Sequence, residues 1–237
     1  MKKTILSLLI GSMFFIACQK EPIIFEVAAK AACLPQSENP SQRSYPCDSL
    51  VAVSYSGKHC GFLPISSKSY WIYEDSVFDN GTFLRVQYDT LRFKTAIRSL
   101  SDNLIWWESN IDVGLPARLY SSDDGIYQME QRMFTDCIWD ASKEFVLPEG
   151  DSAKYLTHFE DNAAFGRSVK LSGSIKTPAG NFSDCILFEK DAKFYRKDRV
   201  YFKPGIGVVK YYCEKAIMGN PLIKLQQIST LVKFYTE

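Results

Sequence analysis

Nucleophiles and proton carriers are few in this chain, which has seven cysteines and two histidines. His59 stands directly before Cys60 in Gly57-Lys58-His59-Cys60-Gly61. A cysteine nucleophile needs a base within hydrogen-bond reach, but neighbours on an extended chain point in opposite directions. The pair therefore reads as a loop cysteine beside an exposed histidine. In His158-Phe159-Glu160-Asp161 the imidazole and the Glu160 carboxylate would share one strand face. A metal needs a third and fourth ligand, and none is visible, so the segment reads as solvated and polar. No Gly-x-Ser-x-Gly elbow is present. Glycoside hydrolysis needs only two carboxylates, which converge from distant positions without a local motif. A glycan-directed hydrolase therefore stays open as an alternative.

Aromatic side chains are the other chemical resource, at 14% of residues. Trp71, Trp106, Trp107 and Trp139 could stack against sugars. Adjacent tryptophans on a strand face opposite sides, so no more than one of Trp106 and Trp107 is expected in a single core, with the other exposed or under a second layer. A structural role is the preferred reading. Gly205-x-Gly207 lacks the further glycine and following helix of a dinucleotide site. No cofactor and no metal are expected.

The first residues carry a different signal. Lys2 and Lys3 precede an uncharged apolar run, residues 5–17, which ends in Phe15-Ile16-Ala17-Cys18. A basic head, a short apolar stretch and a small residue at the cut mark a secretory leader. The run of 13 residues falls short of the ~20 that span a bilayer. Ala17 before Cys18 resembles the lipobox of bacterial lipoproteins. The resemblance implies that residues 1–17 are removed and that Cys18 is acylated on its thiol and its new amine. Acyl chains contribute about 0.8 kcal/mol per buried CH₂, so such an anchor is close to permanent. Gln19-Lys20-Glu21 also resembles the surface-export signal of Bacteroidota lipoproteins, although Pro22 cuts the acidic run short. The expected location is the outer membrane, with the cell surface ahead of the periplasmic face.

Export bears on the remaining cysteines. Once Cys18 carries lipid, Cys33, Cys47, Cys60, Cys137, Cys185 and Cys213 remain, an even number in an oxidising compartment. Disulfides are expected, with Cys185–Cys213 across neighbouring strands the first pairing. Zinc is disfavoured because no Cys-x-x-Cys occurs. Loss of Lys2 and Lys3 with the leader moves the net charge from +1 to −1, which argues against a nucleic-acid partner.

The elements around these residues read as strands. Residues 18–49 form a polar lipidated tether, and residues 50–237 form one β-rich domain. Apolar or alternating segments at 50–55, 70–78, 83–97, 104–108, 117–120, 126–134, 169–176, 182–190, 199–202 and 207–215 are separated by Asp79-Asn80-Gly81, Asp123-Asp124-Gly125, Thr177-Pro178-Ala179-Gly180 and Lys203-Pro204-Gly205. In 83–97 the apolar residues move from even to odd positions around Thr90, which predicts a bulge or turn there. Residues 222–235 carry apolar residues near helical spacing, but their β-branched end favours a strand. The pattern predicts an all-β fold, with room for one minor helix: an antiparallel meander forming a half-barrel, barrel or sandwich.

Phe62-Leu63-Pro64 with Tyr70-Trp71-Ile72-Tyr73-Glu74, and Thr177-Pro178-Ala179-Gly180-Asn181-Phe182 with the stretch Tyr201-Phe202-Lys203-Pro204-Gly205-Ile206-Gly207, resemble a group of uncharacterised Bacteroidota envelope lipoproteins. The C-terminal stretch also resembles β-rich half-barrel envelope proteins similar to lipoprotein carriers. The resemblance covers roughly residues 62–215 and implies no activity. Some Bacteroidota glycosylate Asp-(Ser/Thr)-aliphatic triplets on exported proteins. Four occur here, at Asp48-Ser49-Leu50, Asp75-Ser76-Val77, Asp89-Thr90-Leu91 and Asp151-Ser152-Ala153. Ser49, Thr90 and Ser152 rank above Ser76, which lies inside an expected strand. The sequence thus points to a lipid-anchored envelope protein, leaning non-enzymatic. It would bind membrane lipid through Cys18 and an apolar ligand, a glycan or a protein partner through its domain. The alternatives are the hydrolase and a structural subunit of a surface complex.

Overall fold

The computed structural model describes residues 50–54, 62–99, 104–121, 125–131, 139–147, 154–158, 163–192, 195–217 and 220–237. The leader, Cys18, Cys33, Cys47, Ser49, His59, Cys60, Cys137, Ser152 and Glu160 lie outside the described residues.

The described chain is all β, and none of it is helical. Its strands are β1 (Leu50–Val53), β2 (Tyr70–Asp79), β3 (Thr82–Ser99), β4 (Ile105–Ser109), β5 (Arg118–Ser121), β6 (Ile126–Gln131), β7 (Trp139–Leu147), β8 (Lys154–His158), β9 (Ala163–Thr177), β10 (Gly180–Ala192), β11 (Arg196–Lys203), β12 (Gly207–Ile217) and β13 (Asn220–Tyr235). They form one antiparallel sheet in the order β7-β6-β5-β4-β3-β2-β13-β12-β11-β10-β9-β8, with β1 paired to the far end of β3. Neighbours in the sheet are neighbours in sequence except where β1 pairs with β3 and where β13 returns to pair with β2. The meander does not close: β7 and β8 end it on opposite sides. Of the three expected forms, the single open sheet excludes the closed barrel.

The β2–β3 turn shows how sequence sets the register. Asn80 and Gly81 have φ of 52° and 84°, the positive values that a two-residue hairpin requires and that Asn-Gly tolerates at least cost. One face of the sheet carries the core. Trp71 and Tyr73 of β2, Leu91 and Phe93 of β3, Tyr211 of β12 and Leu231 of β13 are all buried there. Two segments fill the space in front of them. Residues 62–65 bring Phe62, Leu63 and Ile65, with Phe62 stacked on Phe202 at 5.5 Å and its carbonyl accepting the Gly205 N–H at 3.0 Å. The β4–β5 loop brings Val113 and Leu115. Trp71 Nε1 donates to the Ile206 carbonyl at 2.7 Å, and the Tyr73 hydroxyl donates to that of Val208 at 2.9 Å. Trp71 and Tyr73 thus keep their polar atoms paired although their rings are buried.

Three expectations need correction or resolution. No bulge interrupts β3 at Thr90: the register runs unbroken from Val86↔Ser76 to Arg92↔Tyr70. The change of phase is a change of surroundings. Leu91 and Phe93 face the core, whereas Leu84, Val86 and Tyr88 lie on the opposite face in solvent. The bulges fall elsewhere, at Leu84 and Lys94. Second, Cys185 and Cys213 are free, buried thiols. They sit on β10 and β12 with β11 between them. Two strand spacings come to roughly 9–10 Å, beyond the ~7 Å Cα limit of a disulfide. Third, residues 222–235 are strand. Gln226 and Val232 are extra residues at bulges against β12 and β2. Each insertion stretches a two-residue period towards three or four, which mimics helical spacing.

Candidate functional site

The β2–β3 hairpin exposes apolar surface where a strand of a monomeric domain would ordinarily be polar. Residues directly opposite in an antiparallel pair share a face, so Val86 lies with Ser76 and Tyr88 with Glu74 on the outer face. Phe83 is 54% exposed, Leu84 53%, Val86 46% and Tyr88 64%. Phe83 meets Phe78 edge-on at 5.8 Å, and the Tyr88 hydroxyl donates to Glu74 Oε2 at 2.9 Å. Arg85 is the charged residue within this stretch, and its Nε donates to Gln87 Oε1 at 3.1 Å. Contiguous exposed apolar side chains of this kind mark contact surfaces more often than scattered single ones do.

On the other face the same hairpin carries carboxyl groups. Asp75 of β2 stands opposite Gln87 of β3 and Ser229 of β13. Asp89, two residues on from Gln87, stands opposite Tyr73. Asp75 and Ser229 are buried, at 1% and 0% exposure. Gln87 Nε2 donates to Asp89 Oδ2 at 2.9 Å, and Gln227 Nε2 donates to Ser229 Oγ at 2.9 Å. Asp75 Oδ1 is buried and receives no hydrogen bond. Burial pushes the Asp75 carboxyl up to about 6, aided by the Asp89 carboxyl and opposed by hydrogen bonds from Ser229 and Gln227. One carboxyl of such a touching pair holds its proton at pH values where an exposed aspartate has lost it.

A second polar cluster clamps the β4–β5 loop. Arg196 of β11 holds Asp198 through Nε at 2.8 Å and Asp112 of the loop through Nη2 at 2.7 Å. Arg196 Nη2 also donates to the Tyr211 hydroxyl at 2.8 Å, and that hydroxyl donates to Asp198 Oδ1 at 2.7 Å. Lys190 Nζ lies 3.5 Å from Asp198. Asp198 is 1% exposed, and these contacts compensate its charge. Burial works against the Arg196 charge, but Asp198, Tyr211 and Asp112 outweigh it and raise the guanidinium. The loop beneath fits tightly. Gly114 has φ of 81°, and a Cβ there would lie 2.4 Å from Val200 Cγ2. This cluster holds structure in place, because every charge in it faces a partner.

The expected site residues fare unevenly. Trp71, Trp106 and Trp107 are all buried, at 0%, 0% and 1%, so these three form no sugar platform. Trp107 belongs to the main core. Trp106 lies in a second cluster with Ile97, Leu104 and Tyr120, which resolves the adjacent pair as one ring under each layer. Trp139 and His158 fall in β7 and β8. Thr90 is a paired, half-buried strand residue opposite Ile72, and its carbonyl accepts Asn110 Nδ2 at 2.9 Å. The bend that ranked Thr90 above Ser76 as a sugar acceptor is absent. Asp75 and Asp89 escaped notice as a pair because both were read as parts of acceptor triplets. The available signal was two acids inside the strands that flank one Asp-Asn-Gly turn.

Among the described residues, no group of three or more His, Cys, Asp or Glu side chains gathers to hold a metal, and no helix is long and apolar enough to cross a membrane. No protein-family model matches the chain, and no curated protein matches it. One solved structure aligns with it: a protein of Bacteroides fragilis described as exported, with a YmcC-like fold. That alignment has 14% identity and a TM-score of 0.37, covering 74% of this chain and 99% of the other. A likeness this distant carries no argument about activity.

Proposed function

We propose that this chain is a lipid-anchored protein of the bacterial outer membrane whose β domain is a non-enzymatic interaction module. The support for export and anchoring is the leader 1–17 with Ala17-Cys18 at its end. Gln19-Lys20-Glu21 favours the cell surface over the periplasmic face. Glycosylation at Ser49 and Ser152 belongs to the same reading.

The observation that carries the interaction role is the exposed run Phe83, Leu84, Val86 and Tyr88 on the outer face of the hairpin. The inner face in front of Trp71 and Phe93 is filled by the chain's own segments, Phe62 to Ile65 and Val113 to Leu115, which favours a surface contact over an enclosed apolar ligand. The partner is a protein with an uncharged apolar face. Arg85 stands opposite Val77, on the other face of the hairpin from Val86 and Tyr88, so the outer stripe itself carries no cation. Asp75 and Asp89 themselves lie in contact, closer than the roughly 5 Å or more that separates glycosidase carboxyls, so this pair is no candidate for the hydrolase alternative.

A photo-crosslinking residue at Tyr88 in the lipidated protein, expressed in its native host, tests this role. The expected result is one discrete protein adduct that disappears in the Phe83→Ser, Leu84→Ser double variant. Labelling of lipid alone, or an adduct indifferent to those changes, would overturn it.

A further inference from the structure

We propose that the outer face of the sheet around Arg92, Tyr70, Tyr235, Lys233, Lys210 and Tyr212 binds acidic polysaccharide. This surface lies beside the hairpin stripe on the same side of the sheet and is separate from the contact assigned to that stripe.

Strand register brings these residues together, because directly opposite residues share a face. One row runs from Arg92 through Tyr70 to Tyr235 across β3, β2 and β13, and the next from Thr90 through Ile72 to Lys233. A third runs from Tyr88 and Glu74 through Thr230 to Lys210 on β12. Tyr212 follows two residues further along β12, opposite Ile228 and Arg199. Trp71 and Tyr73 alternate with Tyr70 and Ile72 and point into the core, so all four rows lie on the solvent side.

The rings are arranged by their neighbours. Tyr70 and Tyr235 stack at 6.0 Å with 26° between their planes, and the Arg92 guanidinium lies 5.1 Å from the Tyr70 centroid. Cation and rings form a ladder across three strands, and Tyr235 at its end is 48% exposed. Lys210 Nζ lies 5.1 Å from the Tyr212 centroid. Among the described residues, the hydroxyls of Tyr70, Tyr212 and Tyr235 make no hydrogen bond, and Arg92, Lys210 and Lys233 make no ion pair.

Charge selects an anionic occupant. Arg199 is spent on Glu214 at 2.7 Å, and Glu74 accepts the Tyr88 hydroxyl at 2.9 Å. Arg92, Lys210 and Lys233 are left without an acid of their own. The mature chain as a whole is at −1, so this excess of cations is local. Strand spacing and rise put the three roughly 8–12 Å apart, so a chain of sugar units spans them where one small anion reaches only one. Protein interfaces are poor in lysine and rich in buried apolar anchors. Here two of the three cations are lysines, and the aliphatic members, Ile72 and Ile228, are already half-buried. Acidic sugars match what remains: C–H faces for the open rings, hydroxyls for the tyrosine hydroxyls and carboxylates or sulfates for the cations.

The test uses the mature lipidated protein in neutral detergent. Fluorescent oligosaccharides of galacturonate, hyaluronate and chondroitin sulfate are titrated by anisotropy, beside neutral dextran fragments and polyglutamate. At least one acidic saccharide should bind, and dextran and polyglutamate should not. Lys210→Gln with Lys233→Gln should weaken binding about fivefold or more, each exposed charge being individually weak. Tyr235→Ala should weaken it as well, with the Tm of both variants close to the parent's. The Phe83→Ser, Leu84→Ser double variant should bind saccharide as the parent does, which separates this face from the hairpin contact. Failure of all three acidic saccharides to bind, equal binding of polyglutamate or dextran, or affinity indifferent to the lysine and tyrosine changes would overturn the proposal. Loss of binding in the hairpin variant would overturn it too, by moving the site to the stripe.

Discussion

Replacing Asp75 with Asn removes one charge from a buried face and keeps size and one acceptor oxygen, so it isolates what that charge costs. In the folded chain the Asp75 carboxyl titrates near 6, against an ordinary value of 3.8. Burial is the main cause and the Asp89 carboxyl adds to it. A raised acid means the folded state binds the proton more tightly than the unfolded state does. Its stabilising contribution is full below about 3.8 and is lost as pH rises through about 6. At about 1.4 kcal/mol per unit, the displacement is worth at most ~3 kcal/mol. Residual structure in the unfolded chain lowers this to about 2 kcal/mol. At about pH 8, Asp75→Asn should therefore be more stable than the parent by about 2 kcal/mol, a Tm gain of about 4–8 °C. The difference should vanish near pH 4. Urea unfolding of both chains across this range measures it, with the carboxylates elsewhere cancelling in the comparison. A variant less stable at pH 8, or a difference that ignores pH, would refute the reasoning.

Two further substitutions test the packing that shapes the domain. Gly114→Ala places a methyl group 2.4 Å from Val200 Cγ2 at a φ of 81°. Thermal unfolding should show a loss of about 2 kcal/mol or more from overpacking and strain together, and an unchanged Tm would mean that the β4–β5 loop does not lie against β11 and β12. Arg196→Met leaves Asp198, which is 1% exposed, with Lys190 and the Tyr211 hydroxyl as its remaining partners, and should cost about 3 kcal/mol at neutral pH, the low end for a broken buried pair. The double change Arg196→Met with Asp198→Leu should recover most of that loss, and failure to recover would assign the arginine's role to its packing.

Much of the meander was legible because its punctuation is chemical. Asn80-Gly81 can hardly be anything but a hairpin turn, and the Trp71 and Tyr73 alternation reports a buried face directly. Residues 222–235 were harder because bulges at Gln226 and Val232 disguise the two-residue period. The exposed stripe of the hairpin was visible as alternation, but Leu84, Val86 and Tyr88 pattern like core residues. Only the fold shows that they face outwards. The Asp75–Asp89 contact depends on a diagonal relation across β2 and β3 that a bulge at Leu84 shifts by one residue. Pairing cysteines by sequence proximity failed because β11 intervenes between β10 and β12.

An acylated Cys18 at the start of the mature chain is the premise of the proposed anchored module. Membranes of the native host, washed in high salt, should yield an N-terminal peptide that begins at Cys18 and carries the mass of its acyl groups. The Cys18→Ala chain should leave the membrane fraction entirely. A mature N-terminus at another position, or a Cys18→Ala chain that stays with washed membranes, would contradict the anchored-module reading.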